Sequence, residues 1–181
     1  VIYSYIEASQ DIDHVLDVFI RTNSGGTPLA FSDLLMSIAI ANWKGDARKD
    51  IDDLVTEVRQ SAEMQFSINR DWILKTCLML TDADVKFRVK NFDSGQVESI
   101  QGQWSQIRAC VVETFKMLHG FGLSDQSLRA KNAVIPIAHY LYTKKFDGGV
   151  PLYTQINNLK HLREERLGLS RWLHMALLRG I

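Results

Sequence analysis

The sequence predicts a mainly α protein, a multi-helix bundle carrying one N-terminal β-strand that has no partner. Two observations predict it. Apolar residues recur at spacings of three and four along almost the whole chain, the pattern of helices that bury one face. Only the opening "VIYSYIEA", with its loose alternation of Ile2, Tyr3, Tyr5 and Ile6, is rich in β-forming residues. Composition agrees: 46% apolar and 23% charged residues are ordinary for a globular domain, and 181 residues suffice for one sizeable core.

A lone strand is not stable by itself. Its partners are expected in sequence outside this chain, or in a second copy as a homodimer, because an unpaired edge invites strand addition. The stripe Ile12, Val15, Leu16, Phe19 and Ile20 predicts the first helix, with Asp11 or Asp13 near its start. After a polar turn, Leu34, Leu35, Ile38 and Ala39 predict a second helix behind Ser32, and Ile51, Leu54, Val55 and Val58 a third with an acidic outer face. In "SINRDWILKTCLML", Ser67 or Asn69 would cap a fourth helix with the stripe Trp72, Ile73, Cys77 and Leu80. The polar "TDADVKFRVKNFDSG" reads as a loop or a short broken helix.

The longest pattern runs from about Val97 to His119. Val97, Ile100, Trp104, Ile107, Val111, Phe115 and Leu118 form its core stripe, with Gly120 as C-cap. A further helix is expected from about Ser127 to Lys145, with Pro136 either kinking it or marking its first turn. "FDGG" is a turn. The remaining sequence predicts two more helices, broken near Leu167 to Ser170. The whole divides into residues 1–45, strand, helix, turn and helix, and residues 46–181, a helical bundle, as one continuous unit.

No run of eighteen apolar residues occurs, so no membrane span is expected. The chain opens on Val without the basic region of a signal peptide, so it reads as a piece of a longer cytoplasmic protein. Cys77 and Cys110 lie in apolar helical patterns and read as reduced core residues. Net charge is zero but unevenly spread. Eleven acidic residues face five basic ones from Val1 to Ile68, whereas three face nine from Arg129 to Ile181. A basic tail suits a polyanion, or the acidic front of the same molecule.

The candidate site is the turn "RTNSGG", Arg21 to Gly26, followed by Thr27. Small residues let backbone N–H groups converge on an anion, and Gly25 and Gly26 allow a ligand close approach. Arg21 offers a planar fork for phosphate. Asn23, Ser24 and Thr27 add neutral polar groups, and the next helix points its N-terminal dipole at the turn. Asp33, in that helix's first turn, could cap it, orient Arg21 or hold a metal through water. The plain alternative is a helix C-cap followed by an N-cap.

The stretch "VFIRTNSGGTPLAFSDLL" resembles the pattern F-x-R-x-N-S-x-G-x-x-L-x-x-x-D-L of the GmrSD-type restriction proteins. There it lies in the N-terminal GmrS-type domain, a ParB/sulfiredoxin-like NTPase module of α+β fold. Arg21, Asn23, Ser24, Gly26, Leu29, Asp33 and Leu34 match it. "WILKTCLMLTDAD" is loosely similar to the same domain. Ala30 departs from the family's usual Ser or Thr, so Ser32 is expected to cap the second helix instead.

What the resemblance implies is the helical part of a nucleotide-dependent, phage-defence DNA restriction protein, using a nucleoside triphosphate with Mg²⁺. The family's "DGQQR" signature and C-terminal HNH-type nuclease are not in this chain. Both would be partners in the parent protein, which would also bind DNA. By analogy, Asn23 is the candidate phosphate or Mg²⁺ contact, supported by Arg21. Separately, Lys160, Arg163 and Arg166 are spaced to share a helix face and meet successive phosphates, with Glu164 and Glu165 diluting them or pairing locally. The alternative function is a helical protein-interaction module with no nucleotide role; a freestanding DNA-binding helical domain is a third.

Overall fold

The structure is a computed structural model that describes residues 31–81, 94–158 and 160–180, together with Val18, which is helical. The N-terminal strand, the turn from Arg21 to Thr27, most of the helix expected over Ile12–Ile20 and the polar stretch 82–93 lie outside the described residues. Seven α-helices are described and the mainly α class is observed. They are α1 (Phe31–Asn42), α2 (Ala47–Gln60), α3 (Arg70–Leu80), α4 (Ser94–Gly102), α5 (Trp104–Gly120), α6 (Ile135–Thr143) and α7 (Arg163–Arg179). None is long and apolar enough to cross a membrane.

Side-chain capping fixes two of the starts. Asp46 accepts from the Lys49 N–H at 2.9 Å and starts α2. Asn69, one of the two expected caps, accepts from the Trp72 N–H at 2.9 Å and starts α3. Such a cap contributes about 1 kcal/mol. Of the expected stripes, Leu35, Ile38 and Ala39 on α1, Ile51, Leu54 and Val58 on α2, and Trp72, Ile73, Cys77 and Leu80 on α3 are buried.

The core gathers around α5. Phe115 lies 5.1 Å from Phe66 and 5.2 Å from Trp72, centroid to centroid, a tilted aromatic cluster that adds to the area buried. Helix α5 packs on α2 and α6, α6 packs on α3, and α1 bridges α2, α3 and α4. Thus the helix belonging to residues 1–45 is part of the same core as those after it. Thr76 and Thr114 are fully buried, and each donates its hydroxyl to the carbonyl one turn earlier, at 2.8 and 2.7 Å. No described buried side-chain polar atom lacks a partner.

Several boundaries differ from expectation. The pattern from Val97 to His119 is two helices, because the chain tightens at Gln103, whose N–H reaches both Ser99 and Ile100 carbonyls at 3.2 Å. The terminal signal of α5 is Gly122, not Gly120. Gly122 takes φ +79°, its N–H bonds the His119 carbonyl, and the Leu123 N–H bonds Leu118, the Schellman arrangement. The helix expected from Ser127 starts at Ile135, after a 3-10 turn over Lys131–Val134, and Pro136 occupies its first turn, where a missing N–H costs nothing.

Lys145–Phe146 (β1) and Val150–Pro151 (β2) pair antiparallel across the "FDGG" turn, a short hairpin not foreseen as strands. Gly148 and Gly149, at φ +77° and +79°, supply the left-handed conformations it needs. The tail holds one α-helix, α7, continuous through Gly168, preceded by 3-10 turns over Leu152–Thr154 and Lys160–Leu162. Finally, α1 already includes Ser32, so Ser32 stands inside the first turn and is not the residue before it.

Candidate functional site

The basic residues of the tail come together at the C-terminal end of α5. Lys160 lies in the 3-10 turn before α7, and Arg163 and Arg166 lie in the first turns of α7. They do not share one α-helix as expected, but all three line one recess of about 700 Å³ with Gly120, Phe121, Leu167 and Ser170. Three elements form it: the glycine-terminated end of α5, the 3-10 turn Lys160–Leu162 and the start of α7. Gly120 matters sterically, because a Cβ built there would stand 3.4 Å from Arg166 Nη2. The guanidinium therefore lies against the last turn of α5, where free carbonyls favour a cation.

One acidic neighbour, Glu165, is held by other partners. Glu165 accepts from Lys144 Nζ at 2.7 Å and from the Tyr140 hydroxyl, and Lys144 also lies 4.9 Å from the Tyr140 ring centre. The bond from Lys144, then that from Tyr140, holds the Glu165 carboxyl below its ordinary range. So Glu165 joins α7 to α6 and is not paired with the recess cations. Among the described residues, Lys160, Arg163 and Arg166 form no ion pair. Three cations without a paired carboxylate are what a phosphate-bearing polymer requires. Arg171 and Arg179, also on α7, are exposed and lie outside the recess.

Of the expected nucleotide turn, Arg21, Asn23, Ser24, Gly25, Gly26 and Thr27 lie outside the described residues, and with them the Mg²⁺ contact assigned to Asn23. Asp33 is described. It is exposed on the first turn of α1, and its backbone carbonyl accepts from the Ser37 hydroxyl at 2.9 Å. Its charge also reaches Arg70, which is raised first by its hydrogen bonds to Asp52 and least by Asp33. Arg70 grips Asp52 through Nε and Nη2, both at 2.6 Å. Asp33 is therefore within electrostatic reach of an arginine–carboxylate pair at the start of α3. No group of three metal-binding side chains occurs among the described residues, so Asp33 alone does not make a Mg²⁺ site.

The other chemistry-bearing residues are structural. Burial pushes the Cys77 and Cys110 thiols up to about 12, which leaves them protonated and inert. His174 Nδ1 lies 2.7 Å from the Ser170 carbonyl and 3.4 Å from its hydroxyl, a contact one turn apart on a helix, with no acid behind it. Sequence spacing found the three cations but not Gly120, Phe121 or Ser170. The only signal for Ser170 was its position one turn after Arg166.

No model of a known protein family matches the chain, and no curated protein matches it.

Proposed function

We propose that this chain is the helical portion of a GmrSD-like, nucleotide-dependent DNA restriction protein, and that its basic tail contacts the DNA backbone. One observation carries the DNA contact: Lys160, Arg163 and Arg166 line one recess and form no ion pair among the described residues, while Glu165 is held by Lys144 and Tyr140. The resemblance around Arg21 to Leu34 supplies the restriction context. In that context Arg21, Asn23 and the following small residues add phosphate contacts to a nucleotide site whose hydrolytic groups come from the "DGQQR"-bearing half. The helices between, α1 to α6, form one packed core and so give a rigid connection from that turn to the basic recess.

The test is DNA binding by the full chain against Lys160→Ala/Arg163→Ala/Arg166→Ala, with helicity followed by circular dichroism. The proposal expects unchanged helicity and an affinity loss of about tenfold or more at physiological salt. Equal affinity would remove the recess from the account. In the intact parent protein, Asn23→Ala and Arg21→Ala should each abolish nucleotide hydrolysis without loss of helix; retained turnover makes the turn a hinge.

A second reading, a helical protein-interaction module with no nucleotide role, draws on a different observation. Helix α7 buries only Leu173 and Ala176, yet exposes Trp172, Met175 and Leu178 at 47%, 50% and 86%. Exposed apolar groups of this size on one helix are the feature of a partner surface. The same variants separate the two readings, since loss of three cations leaves that apolar face intact.

A further inference from the structure

A second recess, of about 810 Å³, opens on the other side of α7. Its walls come from the end of α2 (Arg59), the start of α3 (Trp72), the segment 129–133 that leads into α6, and Trp172 and Ala176 of α7. The volume is that of a small-molecule site. We infer that this recess binds a nucleotide unit, with the base stacked on the Trp172 indole and the phosphate held by Arg129 and Arg59.

The inference rests on which of its groups are committed and which are not. Trp72 is fixed as the floor: its indole N–H donates to the Lys131 carbonyl at 2.9 Å, and only 3% of the residue is exposed. Lys131 is occupied by Asp125 at 2.9 Å, and Asp71 by Lys75 at 2.6 Å. Asp125 also accepts from the Ser67 N–H at 2.8 Å. The one lining acid, Asp71, is thus compensated. Arg129 forms no ion pair or hydrogen bond among the described residues, and Arg59 acts only at a distance, as the weakest influence on Asp125. Trp172 presents its indole at 47% exposure on the opposite wall.

An exposed indole and two uncommitted guanidinium groups around one cavity select a ligand that is flat and apolar at one end and anionic at the other. Arginine forks match phosphate, and every nucleobase offers a face that stacks on an aromatic ring. Free phosphate would leave the indole unused. A purely apolar ligand would bury two arginines without counter-charge, which is costly. A nucleotide satisfies both halves, whether it is free or one unit of a single strand. The inference does not depend on the recess at Lys160, because Trp172 and Ala176 lie on a different face of α7 from Arg163, Arg166 and Ser170.

The experiment titrates the full chain by calorimetry with deoxyadenosine monophosphate, with inorganic phosphate and with a short single-stranded oligo-deoxythymidine. Tryptophan emission is followed in parallel, since Trp172 is the exposed indole while Trp43 and Trp72 are buried and Trp104 is half-buried. Saturable binding of the mononucleotide identifies a free nucleotide as the source; binding of the oligonucleotide alone identifies a strand. In either case Trp172→Ala and Arg129→Ala should each weaken binding about tenfold, and Trp172→Phe should largely retain it. Absence of binding by both probes would overturn the inference. So would equal affinity in Trp172→Ala, or phosphate binding as tightly as the nucleotide.

Discussion

Phe115 is the residue on which most of the core converges. It is fully buried and meets both Phe66 and Trp72 near 5 Å, so its removal leaves a void that neighbours on three segments cannot close together. Phe115→Ala should cost about 3–5 kcal/mol of stability, read as a shift in the urea midpoint with unchanged slope. At the same scale, the two thiols give a chemical readout of folding. With Cys77 and Cys110 buried and pushed up to about 12, neither should react with a thiol reagent at neutral pH in the native state. Both should react after denaturation; a fast-reacting native thiol would show that one of these helices is open. These positions were legible in the sequence, because their three- and four-residue spacing places them on buried stripes. The places of Gly120 and Trp172 on the two recesses were not, since each depends on what the far end of another element brings beside it.

Helix α7 is the element with least burial, and its attachment to α6 depends on the cluster of Tyr140, Lys144 and Glu165. Glu165 is held below its ordinary range by Lys144 and then Tyr140. A carboxylate depressed in this way contributes stability at pH values above its unfolded-state value, and that contribution is lost as pH falls through the folded-state value. Protection from hydrogen exchange in α7 should therefore fall below about pH 4, selectively over α5, and Glu165→Gln should show the same loss of protection already at neutral pH. An α7 that opens in step with α5 at every pH would contradict this. The elements also show where sequence patterns stop informing. The apolar phase from Val97 to Leu118 survives the tight turn at Gln103, so periodicity joins α4 to α5. Gly168 reads as a break in α7, yet it costs only about 1 kcal/mol in a helix, and no neighbour lies within 4 Å of where its Cβ would be. The hairpin strands, two residues each, are too short to carry an alternation.

For the whole molecule, the uneven charge of the sequence has a spatial counterpart. Two of the four acidic residues of α2 are met by bases from elsewhere: Asp52 by Arg70 and Glu57 by Arg108, the latter at 2.9 Å. Of the tail's bases, Arg129, Lys160, Arg163 and Arg166 line two recesses flanking α7. That arrangement is the central claim, and the most direct test is the dependence of DNA affinity on salt for the full chain and for Lys160→Ala/Arg163→Ala/Arg166→Ala. Three phosphate contacts predict a slope of log affinity against log salt that is steeper in the wild type by roughly 2.7, at about 0.9 per contact. Parallel lines for the two proteins, or an affinity insensitive to salt, would contradict a DNA-backbone role for this recess and leave the exposed apolar face of α7 as the site where the molecule meets its partner.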